Sequence, residues 1–203
     1  MRKQDWSLVF FTTLSQLSIG MVLCLTALAY FSSATGVLFE TGLSHKNPML
    51  MAFILVGIAT TISFLHLGRP SNAPGALNNL RGSWLSREIL ALGLYSLSLL
   101  LVLVLGWRQG SFEYIKYLLA LNTLLGLLLL WMMIRIYTVV TIPAWNSWYT
   151  SLSFISTTIC LGLVFILALQ HIGFVSAAGR VTDKIALMLV VILLIEVVSA
   201  YLN

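Results

Sequence analysis

The most constraining feature of this sequence is a series of six apolar windows, each long enough to cross a lipid bilayer. A bilayer core about 30 Å thick requires about 20 mainly apolar helical residues for each crossing. Six such helices occupy about 120 of the 203 positions, which leaves no room for a separate soluble domain. The sequence therefore predicts one all-α membrane domain over residues 1–203, a bundle of about six transmembrane helices with spans near residues 6–31, 48–67, 88–107, 114–137, 151–169 and 185–202.

Composition and charge exclude several other classes of protein. Only 8% of the residues are charged, whereas an ordinary soluble domain has about a quarter. The net charge of +5 does not indicate nucleic-acid binding, because the basic residues are scattered over the loops rather than gathered in a stripe. Cys24 and Cys160 lie inside predicted spans, without a CxxC spacing or a cluster of histidines. This pattern predicts no disulfide and no metal site.

The six spans place the connecting segments alternately on two sides of the membrane. Face A is defined as the side that holds the N-terminus, residues 68–87 and residues 138–150; face B holds residues 32–47, 108–113 and 170–184. The positive-inside rule compares the Lys and Arg residues on the two sides. Six basic residues fall on face A and five on face B, so charge does not decide the orientation.

Aromatic residues are concentrated on face A. An interfacial aromatic belt accounts for Trp and Tyr at both surfaces of a membrane protein. Face B, however, offers mainly Trp107 and Tyr114, whereas face A carries Trp84, Trp131, Tyr137, Trp145, Trp148 and Tyr149. The surplus predicts that face A docks a partner or binds a ligand.

Four polar side chains are expected to converge near face A. His66 ends the second span, Glu88 opens the third and Arg135 closes the fourth. Gln16 lies about 15 Å into the first span. Each also has a simpler explanation. An acid such as Glu88 is favoured in the first turn of a helix, and His66 can be solvated at a helix end. Arg135 can reach phosphate headgroups, and Gln16 can bond a neighbouring helix. Together they predict one polar cavity in an apolar wall.

Such a cavity suits a lipid-soluble substrate that exchanges protons. A quinol presents two hydroxyl groups to hydrogen-bond acceptors, keeps its tail in hydrocarbon and releases two protons when it is oxidised. Histidine titrates near neutral pH, and a carboxylate supplies a second base. From the residues alone, a quinol is one candidate among several.

Three blocks of sequence resemble a known family. The first is His66-Leu67-Gly68-Arg69-Pro70, followed by Asn79-Leu80 and by Trp84-Leu85-Ser86-Arg87-Glu88-Ile89. The second is Trp131-Met132-Met133-Ile134-Arg135-Ile136-Tyr137, followed by Ile142-Pro143-Ala144-Trp145. The third is Phe11-Thr12 with Gln16. In this order the blocks resemble the membrane-anchor subunit of dimethyl sulfoxide reductase (DmsC type), within the wider NrfD-like group of polysulfide and DMSO reductase anchors.

The resemblance implies a function in anaerobic respiration. An anchor of this kind binds and oxidises menaquinol and passes the electrons to a four-cluster iron–sulfur subunit, which is attached to a molybdopterin catalytic subunit. The anchor itself does not catalyse the terminal reduction. In the family, the histidine of the first block and the glutamate that follows it belong to the quinol site, which makes His66 and Glu88 the candidate catalytic residues here, with Gln16 and Arg135 as further quinol-binding residues.

The resemblance also implies location and partners. It places the protein in the bacterial inner membrane, with the N-terminus on the periplasmic side. The loop between the second and third spans, called the quinol loop, is on the same side. Residues expected to dock the iron–sulfur partner are Arg69, Arg81, Trp84 and Trp145. Family anchors have eight spans, so a six-span chain is expected to be a truncated product, a fragment or a short branch. Glu196 has no family counterpart and is expected to be either a proton relay or a neutral acid bonded to another helix.

Three alternatives compete with quinol oxidation. A bis-histidine haem anchor needs two facing histidines, but His45 and His171 lie toward face B and His66 toward face A, so no haem is expected. A small transporter should place polar residues near the midplane, which is expected to be apolar apart from Glu196 and Asn122. A structural anchor without quinol chemistry would keep the aromatic face but would not need Glu88 together with His66.

Overall fold

A computed structural model of the protein describes residues 3–35, 46–65, 75, 77–107, 112–138, 146–171 and 179–202. These residues form six α-helices: α1 (Lys3–Thr35), α2 (Lys46–Leu65), α3 (Trp84–Trp107), α4 (Phe112–Tyr137), α5 (Trp148–His171) and α6 (Gly179–Leu202). A 3₁₀ turn, Leu77–Asn79, precedes α3. No strand occurs within the described ranges.

The helices have the lengths and composition of a membrane protein. Four of them contain segments long and apolar enough to cross a bilayer, namely Trp6–Tyr30, Trp84–Leu105, Tyr114–Tyr137 and Trp148–Ala168. Shorter apolar stretches lie in α2 (Pro48–Phe64) and α6 (Ala186–Ala200). The predicted fold class, an all-α membrane bundle, is confirmed.

Helix α1 is the centre of the bundle. It packs most extensively against α5 and α2 and also contacts α4, while α3 packs against α4 and α2. Helix α6 packs mainly on α5, and most of its side chains between Leu187 and Val198 are exposed. Helices α1 to α5 therefore form the buried body of the bundle, and α6 lies at its edge.

Serine residues cap the N-termini of two helices. The backbone N–H of Ser86 donates to Ser83 Oγ at 3.3 Å, and that of Thr150 donates to Ser147 Oγ at 3.3 Å. Each cap satisfies an N–H group that has no partner within its own helix. Because Ser83 caps α3, the helix begins four residues before the predicted start of the third span. Glu88 is consequently its fifth residue, past the first turn in which the helix dipole favours an acid.

Helices α1 and α5 approach each other backbone to backbone. A Cβ atom added to Gly20 would lie 2.9 Å from the backbone nitrogen of Gly162 and would overlap the carbonyl oxygen of Thr158. A Cβ added to Gly162 would overlap Gly20 in the same way. Small residues allow such close packing in membranes, where van der Waals contact rather than water exclusion holds helices together.

The interior is more polar than the sequence suggested. The sequence predicts a midplane that is apolar apart from Glu196 and Asn122, but hydroxyl groups of several further residues meet between helices. Ser18 Oγ and Tyr95 Oη are 3.0 Å apart, and Thr123 Oγ1 donates to Thr26 Oγ1 at 2.8 Å. Ser98 Oγ donates to Asn122 Oδ1 at 2.6 Å. These bonds cross-link α1, α3 and α4, because a hydroxyl inside a membrane bundle must find its partner within the protein.

Candidate functional site

Glu88 lies on the buried face of α3 and is only 6% exposed. Tyr137, at the end of α4, is close enough for the charge of the Glu88 carboxyl to act on its phenol group. The same phenol is within hydrogen-bonding range of the Thr12 hydroxyl on α1. Polar side chains of α1, α3 and α4 therefore lie in the same part of the bundle, near face A.

Helix α1 supplies the opposite wall of this site. Four buried residues share one face of α1 and form a stripe along the helix: Thr12, Ser15, Ser18 and Ile19. Ile19 lies beside Tyr95 at Gly126 of α4, since both side chains would be about 3 Å from a Cβ added there. The stripe therefore faces α3 and α4.

Two contacts fix the relative depth of the residues. Ser18 meets Tyr95, and nearer the N-terminus of α1 Thr12 meets Tyr137, which is itself in range of Glu88. Helices α1 and α3 therefore run in the same direction. Glu88 precedes Tyr95 by seven residues, which places it about 10 Å closer to face A on the same side of α3. The Ser18–Tyr95 pair forms the inner end of the polar site.

The hydrogen bonds of Ser18 show which hydroxyl is the donor. Ser18 Oγ donates its single hydrogen to the carbonyl oxygen of Ala52 on α2 at 2.8 Å. Tyr95 must therefore donate to Ser18, which leaves the phenol oxygen able to accept. This pair joins three helices and holds the buried Tyr95 side chain in place.

An arginine and tryptophan cluster lies at the outer end of the site. The guanidinium carbons of Arg87 and Arg135 are 4.2 Å and 4.9 Å from the centre of the Trp84 ring, within the range of cation–π attraction. Arg87 also donates to the carbonyl oxygens of Leu80 and Arg81, each at 2.7 Å. The cluster fixes the segment before α3 to the end of α4.

The predicted site residues are distributed as follows. Gln16 is buried on α1, one turn below Thr12, and Glu88 is buried on α3. Arg135 is exposed and lies on Trp84, and Arg81 is exposed in the turn before α3. The remaining predicted residues, His66, Arg69 and Trp145, lie outside the described residues.

Glu196 lies on α6, which packs mainly on α5. It is the eighteenth of the 24 residues of α6, so it lies nearer face A than the midway position expected from the sequence. Ser153 Oγ on α5 donates to Glu196 Oε1 at 3.4 Å. Of the two expectations for this residue, the hydrogen bond to another helix is the one that the structure contains.

Sequence reasoning did not single out Ser15, Tyr95 or Tyr137 as site residues. Ser15 is fully buried, and its Oγ is the one buried side-chain N or O atom in the described part of the protein that makes no hydrogen bond. The available signal was the recurrence of small polar residues on one helical face at Thr12, Ser15 and Ser18. For Tyr95 the signal was weaker, because a tyrosine in an apolar helix is usually interpreted as core.

The geometry is suited to proton exchange with a ligand from the membrane. A carboxyl group buried beside hydroxyl groups can hydrogen-bond a polar headgroup and accept a proton from it. Within the described ranges, no three His, Cys, Asp or Glu side chains are grouped so that they could hold a metal ion. The described residues therefore provide acid–base and hydrogen-bonding chemistry.

Comparison with known proteins gives one consistent result. A sequence profile of the DMSO reductase anchor subunit (DmsC) matches residues 1–203. The protein is 30% identical over 181 residues to the YnfH subunit of an anaerobic dimethyl sulfoxide reductase of Escherichia coli, covering 88% of this sequence and 60% of that protein. It is 32% identical over 166 residues to the C subunit of the anaerobic dimethyl sulfoxide reductase of Haemophilus influenzae, covering 80% and 57%.

A third relative, the C subunit of the Escherichia coli anaerobic dimethyl sulfoxide reductase, is 30% identical over 197 residues, which are 93% of this sequence and 66% of that protein. The matched region thus spans between 57% and 66% of the length of these curated relatives. No solved structure matches it.

Proposed function

Because the chain belongs to the DMSO reductase anchor subunit (DmsC) family, we propose that it binds and oxidises menaquinol at the Glu88 site. The electrons pass to a four-cluster iron–sulfur subunit attached to a molybdopterin catalytic subunit. In this assembly the protein is the quinol-oxidising part of an oxidoreductase and takes no part in the terminal reduction. It serves DMSO reductase-like anaerobic respiration in the bacterial inner membrane.

The observation that carries this proposal is the burial of Glu88 at one end of a membrane bundle, within electrostatic range of the Tyr137 phenol. A carboxyl group in an apolar environment is costly unless it has a function or a partner. A structural anchor has no use for it, because an apolar residue would fill the same space without that cost. A quinol headgroup entering from the membrane supplies hydroxyl groups that match it.

The proposed reaction balances two electrons against two protons. Menaquinol loses both hydroxyl protons and two electrons and becomes menaquinone. Glu88 and His66 are the two bases that accept the protons and release them toward face A. The two electrons go to the iron–sulfur partner, one at a time. Gln16 contributes hydrogen bonding from α1, and Arg135 lies at the outer end of the site through its contact with Trp84.

Face A docks the partner in this proposal. Arg81 and Trp84 lie just before and at the start of α3, close to the Glu88 site. Arg69 and Trp145 lie in sequence segments that the six predicted spans assign to face A. Electron transfer over a short path requires the quinol site and the iron–sulfur partner to share one side of the membrane. Following the orientation that the family resemblance implies, this proposal puts the quinol loop and the N-terminus in the periplasm, on the same side as the iron–sulfur and molybdopterin subunits.

This orientation predicts the labelling of single cysteines in intact cells. A cysteine at Asn78, an exposed residue before α3, should react with a membrane-impermeant maleimide when the partner subunits are absent. A cysteine at Ser111, which the six predicted spans assign to face B, should react only after the cells are opened. The protein without an added cysteine controls for Cys24 and Cys160. Labelling of Ser111 and not of Asn78 in intact cells would reverse the orientation.

Photolabelling tests where the quinol binds. A naphthoquinone that carries an azide should, on illumination, form adducts with peptides from the α1 and α3 walls, including residues 11–18 and 84–95, and excess menadione should suppress them. The apolar surface of α6 provides an internal control, because adducts there report only partition into lipid. Adducts confined to α6 would argue against a quinol site at Glu88. So would adducts on α1 and α3 whose yield is not lowered by excess menadione.

A further inference from the structure

The Ser15 hydroxyl has a hydrogen-bonding capacity that the described residues do not use. Other buried hydroxyl groups in the bundle bond back to their own helix: Thr12 donates to Leu8 O at 3.1 Å, Thr26 to Val22 O at 2.8 Å and Thr158 to Phe154 O at 2.7 Å. This bond to the carbonyl four residues earlier is available to any helical Ser or Thr. Ser15 does not make it, although its side chain is fully buried.

Ser15 lies between the two polar contacts that define the site. Three residues after Ser15, Ser18 contacts Tyr95. Three residues before it, Thr12 is within hydrogen-bonding range of Tyr137, and Tyr137 is within electrostatic range of Glu88. Because residues three apart share one helical face, Ser15 belongs to the stripe that faces α3 and α4. An unsatisfied donor inside a polar site is costly and indicates a position where a ligand atom supplies the missing bond.

Ser15 lies deeper in the membrane than the outer part of the site. Along α1 it is about 4.5 Å nearer face A than Ser18 and about 4.5 Å deeper than Thr12. On α3, Glu88 is seven residues before Tyr95, or about 10.5 Å nearer face A. Since Ser18 contacts Tyr95, Ser15 lies on the inner side of Glu88.

We propose that Ser15 is a further binding residue of the quinol site and that its hydroxyl donates to the inner oxygen of the ring, while Glu88 faces the outer oxygen. This inference rests on the proposed function. A serine hydroxyl can accept from a quinol hydroxyl and donate to a quinone carbonyl, so it holds the ring in both redox states. It is not a base near neutral pH, and Ser15 is therefore a binding residue and takes no proton.

The test is equilibrium binding of menadione to the purified full-length protein, followed by quenching of tryptophan fluorescence. Ser15→Ala should raise the dissociation constant about three- to tenfold, the range that one neutral hydrogen bond supplies. Thermal resistance should be unchanged or higher, because the substitution removes a buried donor without a partner. Ser156→Ala is the matched control: Ser156 is buried on α5 and bonds its own helix at Ser153 O, so menadione binding should not change.

A second ligand distinguishes a ring oxygen from a general effect on the site. 2-Methyl-1-tetralone keeps only one of the two ring carbonyls of menadione, so wild-type protein should prefer menadione, and Ser15→Ala should lose most of that preference. Unchanged menadione affinity in Ser15→Ala overturns this inference and leaves the Glu88 site intact. Absence of saturable menadione binding to the wild-type protein overturns the proposed function together with it.

Discussion

Replacing Glu88 by Gln should reduce quinol-driven electron transfer by about 10²- to 10⁴-fold, the contribution of a well-placed general base. The substitution keeps the shape and hydrogen-bonding capacity of the side chain but removes the base. Since Glu88 is past the first turn of α3, the loss of a helix-dipole interaction should cost less than about 1 kcal/mol. The bundle should therefore insert, and its partners should still bind.

The measurement compares two electron donors in membranes that contain the complete reductase. Menadiol-dependent turnover should collapse in Glu88→Gln, whereas turnover with an artificial soluble donor that reduces the partner subunits directly should stay near normal. Glu196→Gln is the matched control, because Glu196 is the other membrane carboxyl with a described environment and it accepts a hydrogen bond from Ser153 on α5. Equal losses in both variants would indicate a general effect of removing charge from the bundle.

Replacing Gly20 by Ala should disrupt the packing of α1 on α5. The added Cβ would overlap the backbone of Thr158 and Gly162, and backbone atoms cannot move aside as a flexible side chain can. Overpacking usually costs about 1–3 kcal/mol, and this contact should be at the upper end of that range. Because α1 also forms one wall of the Glu88 site, a shift of α1 should weaken menadione binding as well.

Gly57 provides the control with the opposite expectation. It is exposed on α2, and a Cβ added there would meet nothing within 4 Å. Alanine is favoured over glycine in helices by up to about 1 kcal/mol, so Gly57→Ala should be neutral or stabilising. Thermal loss of helical circular dichroism in detergent measures both variants. If Gly20→Ala melts at or above the wild-type temperature, the close contact between α1 and α5 is wrong.

The sequence was sufficient for the fold class and for the position of Glu88 near face A. Apolar windows of spanning length indicate membrane helices directly, because the thickness of the bilayer sets their length. The start of α3 was harder to predict. Residues 84–87 resemble a continuation of the preceding loop until Ser83 is recognised as the cap of the helix. That cap moves Glu88 from the first turn into the body of the helix.

The internal pairing of the helices could not be predicted from the sequence. Ser18, Thr26, Ser98 and Thr123 are small polar residues in apolar segments, and only the tertiary arrangement shows that they bond across helices. The same limit applies to Ser15, because a sequence cannot show that its hydroxyl group lacks a hydrogen bond. A one-dimensional pattern reports which face a residue occupies and not which partner it meets there.

Single-turnover reduction of the iron–sulfur partner tests the central claim most directly, because it follows the transfer of electrons from quinol without the later steps. The intact complex is mixed rapidly with menadiol, and the iron–sulfur absorbance or the electron paramagnetic resonance signal is recorded with time. We expect fast reduction in the wild type and in Glu196→Gln, and reduction at least about 100-fold slower in Glu88→Gln. Reduction by menadiol at the wild-type rate in Glu88→Gln would contradict a quinol-oxidising site at this carboxyl group.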